Sequence, residues 1–155
     1  MKKTNAARIL DKLNIKYETV EYEVDESDLS AIAVAASIGQ PVERLFKTLV
    51  LRGDKSGIIV ACVPGERELN LKPLASLSGN KKVEMVHVKE IQELTGYIRG
   101  GVSPVGMKKN YPAYIDESAF QFDLIYVSAG IRGMQFRIKP DDLLAAVNGI
   151  TGKIA

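Results

Sequence analysis

The sequence predicts a single α+β domain, residues 1–155, built around a mixed β-sheet. Three observations carry this expectation. Helical and strand periodicities are interleaved irregularly, without the strict alternation of a parallel α/β sheet. Two apolar runs, "LFKTLVL" and "GIIVACV", read as buried strands joined by the polar turn "RGDKSG". The 155 residues, 46% hydrophobic and 26% charged, are enough to bury a core without disulfides or metals, and no repeat or low-complexity linker divides them.

Each element has its own signal. Asn5 to Leu13 places Ile9, Leu10 and Leu13 on one helical face, with Thr4 or Asn5 as the cap. "KYETVEYEV" alternates, with Val20, Tyr22 and Val24 on one side and Thr19, Glu21 and Glu23 on the other, as in a half-exposed strand. Ser27 or Asp28 is expected to cap a second helix through Ile38, stopped by Gly39 and Pro41. After the two buried strands, short helices are expected at Lys72 to Leu77 and Val88 to Leu94, on either side of a strand near Val83 to Val86. "AYI", "LIYVSAG" and "MQFRI" are strand-like segments separated by Asp, Glu or Gly. "KPDDLLAAV" closes the chain as a helix, with Pro140 in its first turn and Asp141 and Asp142 at its positive end.

Composition removes several chemistries. A single cysteine, Cys62, and a single histidine, His87, exclude an internal disulfide and leave no ordinary zinc ligand set, so neither metal nor cofactor is expected. The net charge of +2 provides no global field for nucleic acid, which leaves the lysine pairs 81–82 and 108–109 as local candidates. "MKKTNAARIL" has no apolar run long enough for a signal peptide or membrane span, so a cytoplasmic location without a membrane partner is expected.

Two features stand out. Period-two alternation puts Lys47 in a row with Leu45, Leu49 and Leu51, where an unpaired ammonium is costly. It is either an edge-strand lysine that guards against aggregation or a site lysine meeting a phosphate or carboxylate in a cleft. The second feature is "LTGYIRGGVSPVGMKKN", with four glycines, a proline and adjacent lysines. It is either a plain surface loop or a pocket lining whose bare backbone approaches a ligand. It matches neither a phosphate-binding GxxxxGK[ST] nor a GxGxxG, and "GVSPV" is no nucleophile elbow. Cys62 lies in an apolar strand and His87 before a helix, and both read as structural.

"FKTLVL", "VPGERELNLKPLA", "KKVEM", "LTGYIRGGVSPVGMKK", "ID", "IYVSAGIRG" and "PDDL" occur in an order that resembles the YbaK/EbsC family, itself similar to the editing domain of bacterial prolyl-tRNA synthetase. The resemblance runs from about Ile15 to Leu143. It implies a compact α+β domain with a barrel-like mixed sheet, flanking helices and deacylation of Cys-tRNA charged on proline tRNA. Such an activity has a physical reason, because a proline pocket rejects smaller amino acids by only about 1–3 kcal/mol. The implied mechanism uses the substrate's own thiolate, which forms a cyclic thiolactone and releases tRNA without a protein nucleophile or metal.

The same resemblance implies the site. Lys47, Gly101 and Tyr22 are the implied catalytic set, with Lys47 anchoring the terminal nucleotide and Gly101 closest to the aminoacyl-adenosine. Thr48, Gly100, Ser103, Pro104 and Ser128 are implied substrate contacts, and Lys108 and Lys109 are either contacts to the acceptor-stem backbone or a solvated lysine pair. Three positions depart from the family pattern: Leu29 in place of a pocket phenylalanine, Met107 in place of glutamine, and Gln135 in place of an acid. Hydrolysis of Ala-tRNA(Pro) or another small aminoacyl-tRNA, and a non-catalytic regulator binding a tRNA end or nucleotide, are the alternatives. The implied partners are the tRNA 3′ end and prolyl-tRNA synthetase.

Overall fold

The computed structural model describes residues 3–155. Thr4 caps the first helix, α1 (Asn5–Lys12), its hydroxyl accepting from the Ala7 N–H at 3.1 Å. The alternating segment that follows yields β1 (Glu18–Glu21), shorter than its pattern. The second helix, α2 (Ala31–Ile38), starts later than expected, because Asp25 and Asp28 spend their carboxylates on the N–H groups of Ser27 and Ser30. Ser30 becomes the cap and Gly39, with φ of 68°, the left-handed stop.

The two apolar runs form β2 (Phe46–Gly53) and β3 (Gly57–Pro64), paired antiparallel over their whole length. Then come α3 (Leu71–Leu77), β4 (Val83–Met85), a 3₁₀ turn over Val88–Glu90 and the short α4 (Ile91–Thr95). The expected helix over 88–94 is thus a 3₁₀ turn running into α4. The chain finishes with β5 (Ala113–Asp116), β6 (Ile125–Ser128), β7 (Met134–Ile138), α5 (Pro140–Ala146) and β8 (Ile150–Gly152). β8, only three residues long, carries too little pattern to be foreseen.

These strands do not close into a barrel-like sheet. They form a three-stranded antiparallel sheet, β1-β7-β6, and a five-stranded mixed sheet, β4-β2-β3-β5-β8, in which β3, β5 and β8 run parallel. An isolated parallel bridge between Leu45 and Tyr126 joins them. The main core lies between the sheets, where Phe46 and Cys62 meet Val127, Phe136 and Ile138 beneath Leu10 of α1 and Leu143 of α5. On the opposite face of the larger sheet, Leu51, Ile59, Ala61 and Val63 pack under Leu74 of α3. A third cluster forms where Ala35 of α2 covers Leu45 and Tyr126. The start of β2 therefore lies at the junction of both sheets and α2, and that is where the odd lysine stands.

Candidate functional site

A cavity of about 320 Å³ opens at this junction, at the small end of the range typical of ligand pockets. Its floor is the start of β2, from Leu45 to Leu49, and its walls are Leu29, Ala31 and Val34 on one side and Val88 and Ile91 on another. Arg99, Gly100 and Val102 bring in the glycine-rich segment, and Ser128 and Gln135 the small sheet. Lys47 is half-buried, and its ammonium donates to the Gly65 carbonyl at 3.3 Å. That leaves donor capacity toward the cavity, since an ammonium carries three N–H groups. A side chain at Gly65 has no room, because its Cβ would lie 2.7 Å from that of Ala31.

The glycine-rich segment is held from several directions. Gly100 adopts φ of 86°, and the Gly101 N–H donates to the Ile98 carbonyl at 2.9 Å, which closes a tight turn. A Cβ on Gly101 would lie 3.0 Å from backbone atoms of both Ile131 and Arg132, so the bareness of Gly101 serves the approach of the β6–β7 hairpin tip. From that tip the Arg132 guanidinium donates to the Arg99 carbonyl at 2.8 Å and pairs with Glu26 at 2.9 Å. Tyr97 is buried, and its hydroxyl donates to the Val105 carbonyl at 2.6 Å. Burial pushes that phenol up to about 12. Sequence reasoning assigned no role to Tyr97 or Arg132, although the Gly-Tyr step preceding the loop was a signal for the first.

The residues singled out in the sequence are distributed as follows. Lys47, Thr48, Gly100 and Ser128 line the cavity together, with Leu29 and Gln135. The Ser128 hydroxyl accepts from the Gly130 N–H at 3.2 Å. Tyr22 lines a smaller hollow of about 80 Å³, which shares Leu29, Val34 and Gly100 with the main cavity. Gly101 is buried against the hairpin, and Ser103 is fully buried with its Oγ accepting from the Val105 N–H at 3.2 Å. Pro104, Met107 and Lys109 line a different cavity of about 450 Å³ with the end of α5, and Lys108 is exposed, its stem lying over Gly96.

A larger cavity of about 790 Å³, between α1, β1 and β7, gathers mixed charges in which Lys3 pairs with Asp11 and Arg137 with Glu18. It contains none of the glycine-rich backbone. Cys62 is fully buried, and desolvation pushes its thiol up to about 12, against the smaller effect of a 3.9 Å contact with the Thr48 hydroxyl. His87 is exposed at the head of the 3₁₀ turn, where its N–H donates to Glu90. Among the described residues no three His, Cys, Asp or Glu side chains gather as a metal site, and no helix is long and apolar enough to cross a membrane.

A half-buried lysine and a glycine-rich loop that meet at one cavity, where two sheets join, mark the class of this small domain. The chain belongs to the aminoacyl-tRNA editing domain family, whose sequence pattern matches residues 26–146. It is 51% identical over 147 residues, 95% of this chain and 90% of the other, to an Enterococcus faecalis protein provisionally named Cys-tRNA(Pro)/Cys-tRNA(Cys) deacylase EbsC. Over 76 residues, 49% of this chain and 13% of the other, it is 37% identical to a proline–tRNA ligase of Thermosipho africanus. A crystal structure provisionally described as a trans-editing enzyme for prolyl tRNA synthetase superposes with a TM-score of 0.82 at 29% identity, covering 99% of this chain and 98% of the other.

Proposed function

We propose that the protein is a trans-acting deacylase that clears Cys-tRNA(Pro) in the cytoplasm. The observation that carries this reading is the cavity itself, in which Lys47 faces Gly100 and Ser128 and, among the described residues, no thiol or carboxylate lines the wall. Cys62 is buried with its thiol held protonated, and Ser103 is locked inside its loop. The similarity to the Enterococcus protein over nearly the whole chain supports the same substrate class.

The substrate then supplies its own nucleophile. The cysteine thiolate attacks the carbonyl carbon of its ester, a C–S bond forms, and the C–O bond to the terminal ribose breaks. The ribose oxygen leaves with the electron pair and takes a proton, giving free tRNA and a thiolactone. The protein contributes orientation of thiolate and carbonyl, and preorganised donors for the developing oxyanion. Lys47 anchors the terminal nucleotide through phosphate, and Thr48, Ser128 and Tyr22 frame the ester. Gly100 presents main chain to the cavity, Gly101 fixes its approach to the hairpin, and Ser103 and Pro104, buried behind it, support the loop. This reading assigns Lys108 and Lys109 to the acceptor-stem backbone. With a net charge of only +2, binding of tRNA alone is weak, and association with prolyl-tRNA synthetase supplies the proline tRNA.

The test is deacylation of Cys-tRNA, Ala-tRNA and Ser-tRNA, all charged on proline tRNA, by the wild type and by Lys47→Ala. Rapid loss of cysteine alone, slowed by about 10²-fold in the variant, is the expected result. Equal loss of alanine or serine would replace the cyclisation route with a positioned water, and no turnover on any substrate would leave a binding protein.

A further inference from the structure

Gln135 is 4% exposed, lines the cavity, and its Oε1 has no hydrogen-bond partner. A buried amide oxygen left unpaired is costly, and native folds keep few of them. Here the oxygen is itself shielded, so a donor on the occupant meets it only when the side-chain amide turns toward the cavity. The terminal amide torsion of glutamine is soft, so the oxygen can swing to meet a donor there.

Its place in the fold narrows which donor. Gln135 stands in β7 directly across from Ser128 of β6 and Val20 of β1, so its side chain rises from the sheet face that carries Ser128. The nearby walls contributed by Leu29, Ala31, Val34 and Leu45 are apolar, suited to a small amino acid. The charged side chains lining the cavity are Lys47 and Arg99, both cations, and none is Asp or Glu. An α-ammonium has no counter-charge in such a space, which favours the neutral amine, an N–H donor in need of a neutral acceptor.

We propose that Gln135 is a specificity-determining residue that accepts a hydrogen bond from the α-amine of the esterified amino acid. This inference rests on the aminoacyl-ester reading above. The competing donors on such a substrate fit less well. A thiol that attacks its own ester has given up its proton, and the ribose hydroxyl belongs with the nucleotide at Lys47. Arg137, whose buried Nε is also unpartnered, lines the separate cavity beside α1.

The experiment compares two hydrolysis-resistant ligands by calorimetry: adenosine carrying a 3′-cysteinyl amide, and the 3-mercaptopropionyl amide that lacks only the amine. The wild type is expected to bind the first about 10-fold more tightly. In Gln135→Leu and Gln135→Met the ratio falls to about one, because the acceptor is gone, and in Gln135→Glu it returns. Two apolar variants guard against one that folds poorly, and the glutamate variant shows that the readout follows the acceptor rather than packing. A wild-type ratio near one, or a ratio that survives both apolar variants, overturns the inference.

Turnover of Cys-tRNA(Pro) by the wild type, measured in parallel, separates the two readings. Turnover with amine-blind binding removes only the role of Gln135. Amine-dependent binding without turnover removes the deacylase and leaves Gln135 as the amine acceptor of a binding protein. Failure to bind either ligand overturns the inference.

Discussion

The Tyr97 hydroxyl donates to the Val105 carbonyl at 2.6 Å and so ties the two ends of the glycine-rich segment together across eight residues. The same ring leaves no space for side chains at two further turns. A Cβ on Gly130 would lie 2.9 Å from the Tyr97 ring, and one on Gly106 would lie 2.8 Å from its hydroxyl. Both glycines have positive φ, 101° and 78°. One aromatic side chain therefore sets the loop facing Lys47 and the corner after Ser128, two sides of the cavity that come from distant parts of the chain.

Tyr97→Phe keeps the ring and removes the bond. With the Val105 carbonyl left unpaired in a buried setting, stability is expected to fall by roughly 1–3 kcal/mol in urea unfolding. Deacylation of Cys-tRNA(Pro) falls with it even where the variant is fully folded, since the loop loses its tether. A variant as active and as stable as the wild type would show that the glycines alone hold the loop.

Gly101→Ala tests close packing rather than backbone conformation. The new methyl meets backbone atoms of Ile131 and Arg132 at 3.0 Å, and backbone cannot rotate aside, so either the loop or the hairpin tip must shift. A shift of a few tenths of an ångström, carried to the reacting ester, lowers turnover by less than the roughly 10²-fold that a displacement of about 1 Å costs. Gly39→Ala is the control, because Gly39 has φ of 68° with open space around it and loses only about 1 kcal/mol of stability to strain. Single-turnover deacylation and thermal melts of the two variants are expected to give opposite patterns, with activity lost in one and stability in the other.

Much of this architecture was legible in the sequence, for reasons particular to each element. The paired strands β2 and β3 were plain because long apolar runs flank a polar turn, and α1 because Thr4 and its apolar face agree. Lys47 was conspicuous because one charge interrupts a row of leucines. The start of α2 was misplaced because Ser27, Asp28 and Ser30 are all good caps, and only the competing turns at Asp25 and Asp28 decide among them. The clustering of Lys47, Thr48, Gly100 and Ser128 depends on a parallel bridge from Leu45 to Tyr126, a contact across eighty residues that no local pattern encodes. The open pair of sheets in place of one barrel-like sheet is a tertiary outcome of the same kind.

Alkaline stability follows chiefly from two buried acids, with a further contribution from Tyr114, whose phenol burial also pushes up. The Cys62 thiol is pushed from 9.0 to about 12 and the Tyr97 phenol from 10.0 to about 12, both chiefly by desolvation. A group whose folded pKa is raised contributes stability that is fully present below its unfolded pKa and is lost as pH rises through the folded one. Unfolding free energy is therefore expected to decline from about pH 9 for Cys62 and from about pH 10 for Tyr97, levelling off only near pH 12. In urea titrations across this window, Cys62→Ala flattens the first part of the decline and Tyr97→Phe the second. Iodoacetamide at pH 8 is expected to leave the native thiol unmodified and to label it on unfolding. Rapid native labelling would contradict its burial.

Lys47 carries the sharpest prediction, because its surroundings leave it one direction. Beneath it, Gly65 packs against Ala31 and Val42 too closely to admit even a methyl, and the Gly65 carbonyl takes one ammonium hydrogen at 3.3 Å. The remaining hydrogens have no further partner among the described residues, and under the proposed function an anionic group of the terminal nucleotide supplies one. Lys47→Ala is expected to lower kcat/KM for Cys-tRNA(Pro) by about 10²-fold, the loss typical of one desolvated charged contact. Folding stability is expected to fall by no more than about 1 kcal/mol, since the one bond lost, to the Gly65 carbonyl at 3.3 Å, is long and lies beside an open cavity. Lys47→Arg keeps the charge but replaces a compact ammonium by a planar fork that the Gly65 carbonyl and the narrow floor do not fit, so it restores only part of the rate. Steady-state kinetics beside urea melts decide the matter: a Lys47→Ala protein that turns over normally would make this lysine a guard on the strand, and one that simply unfolds would make it structural.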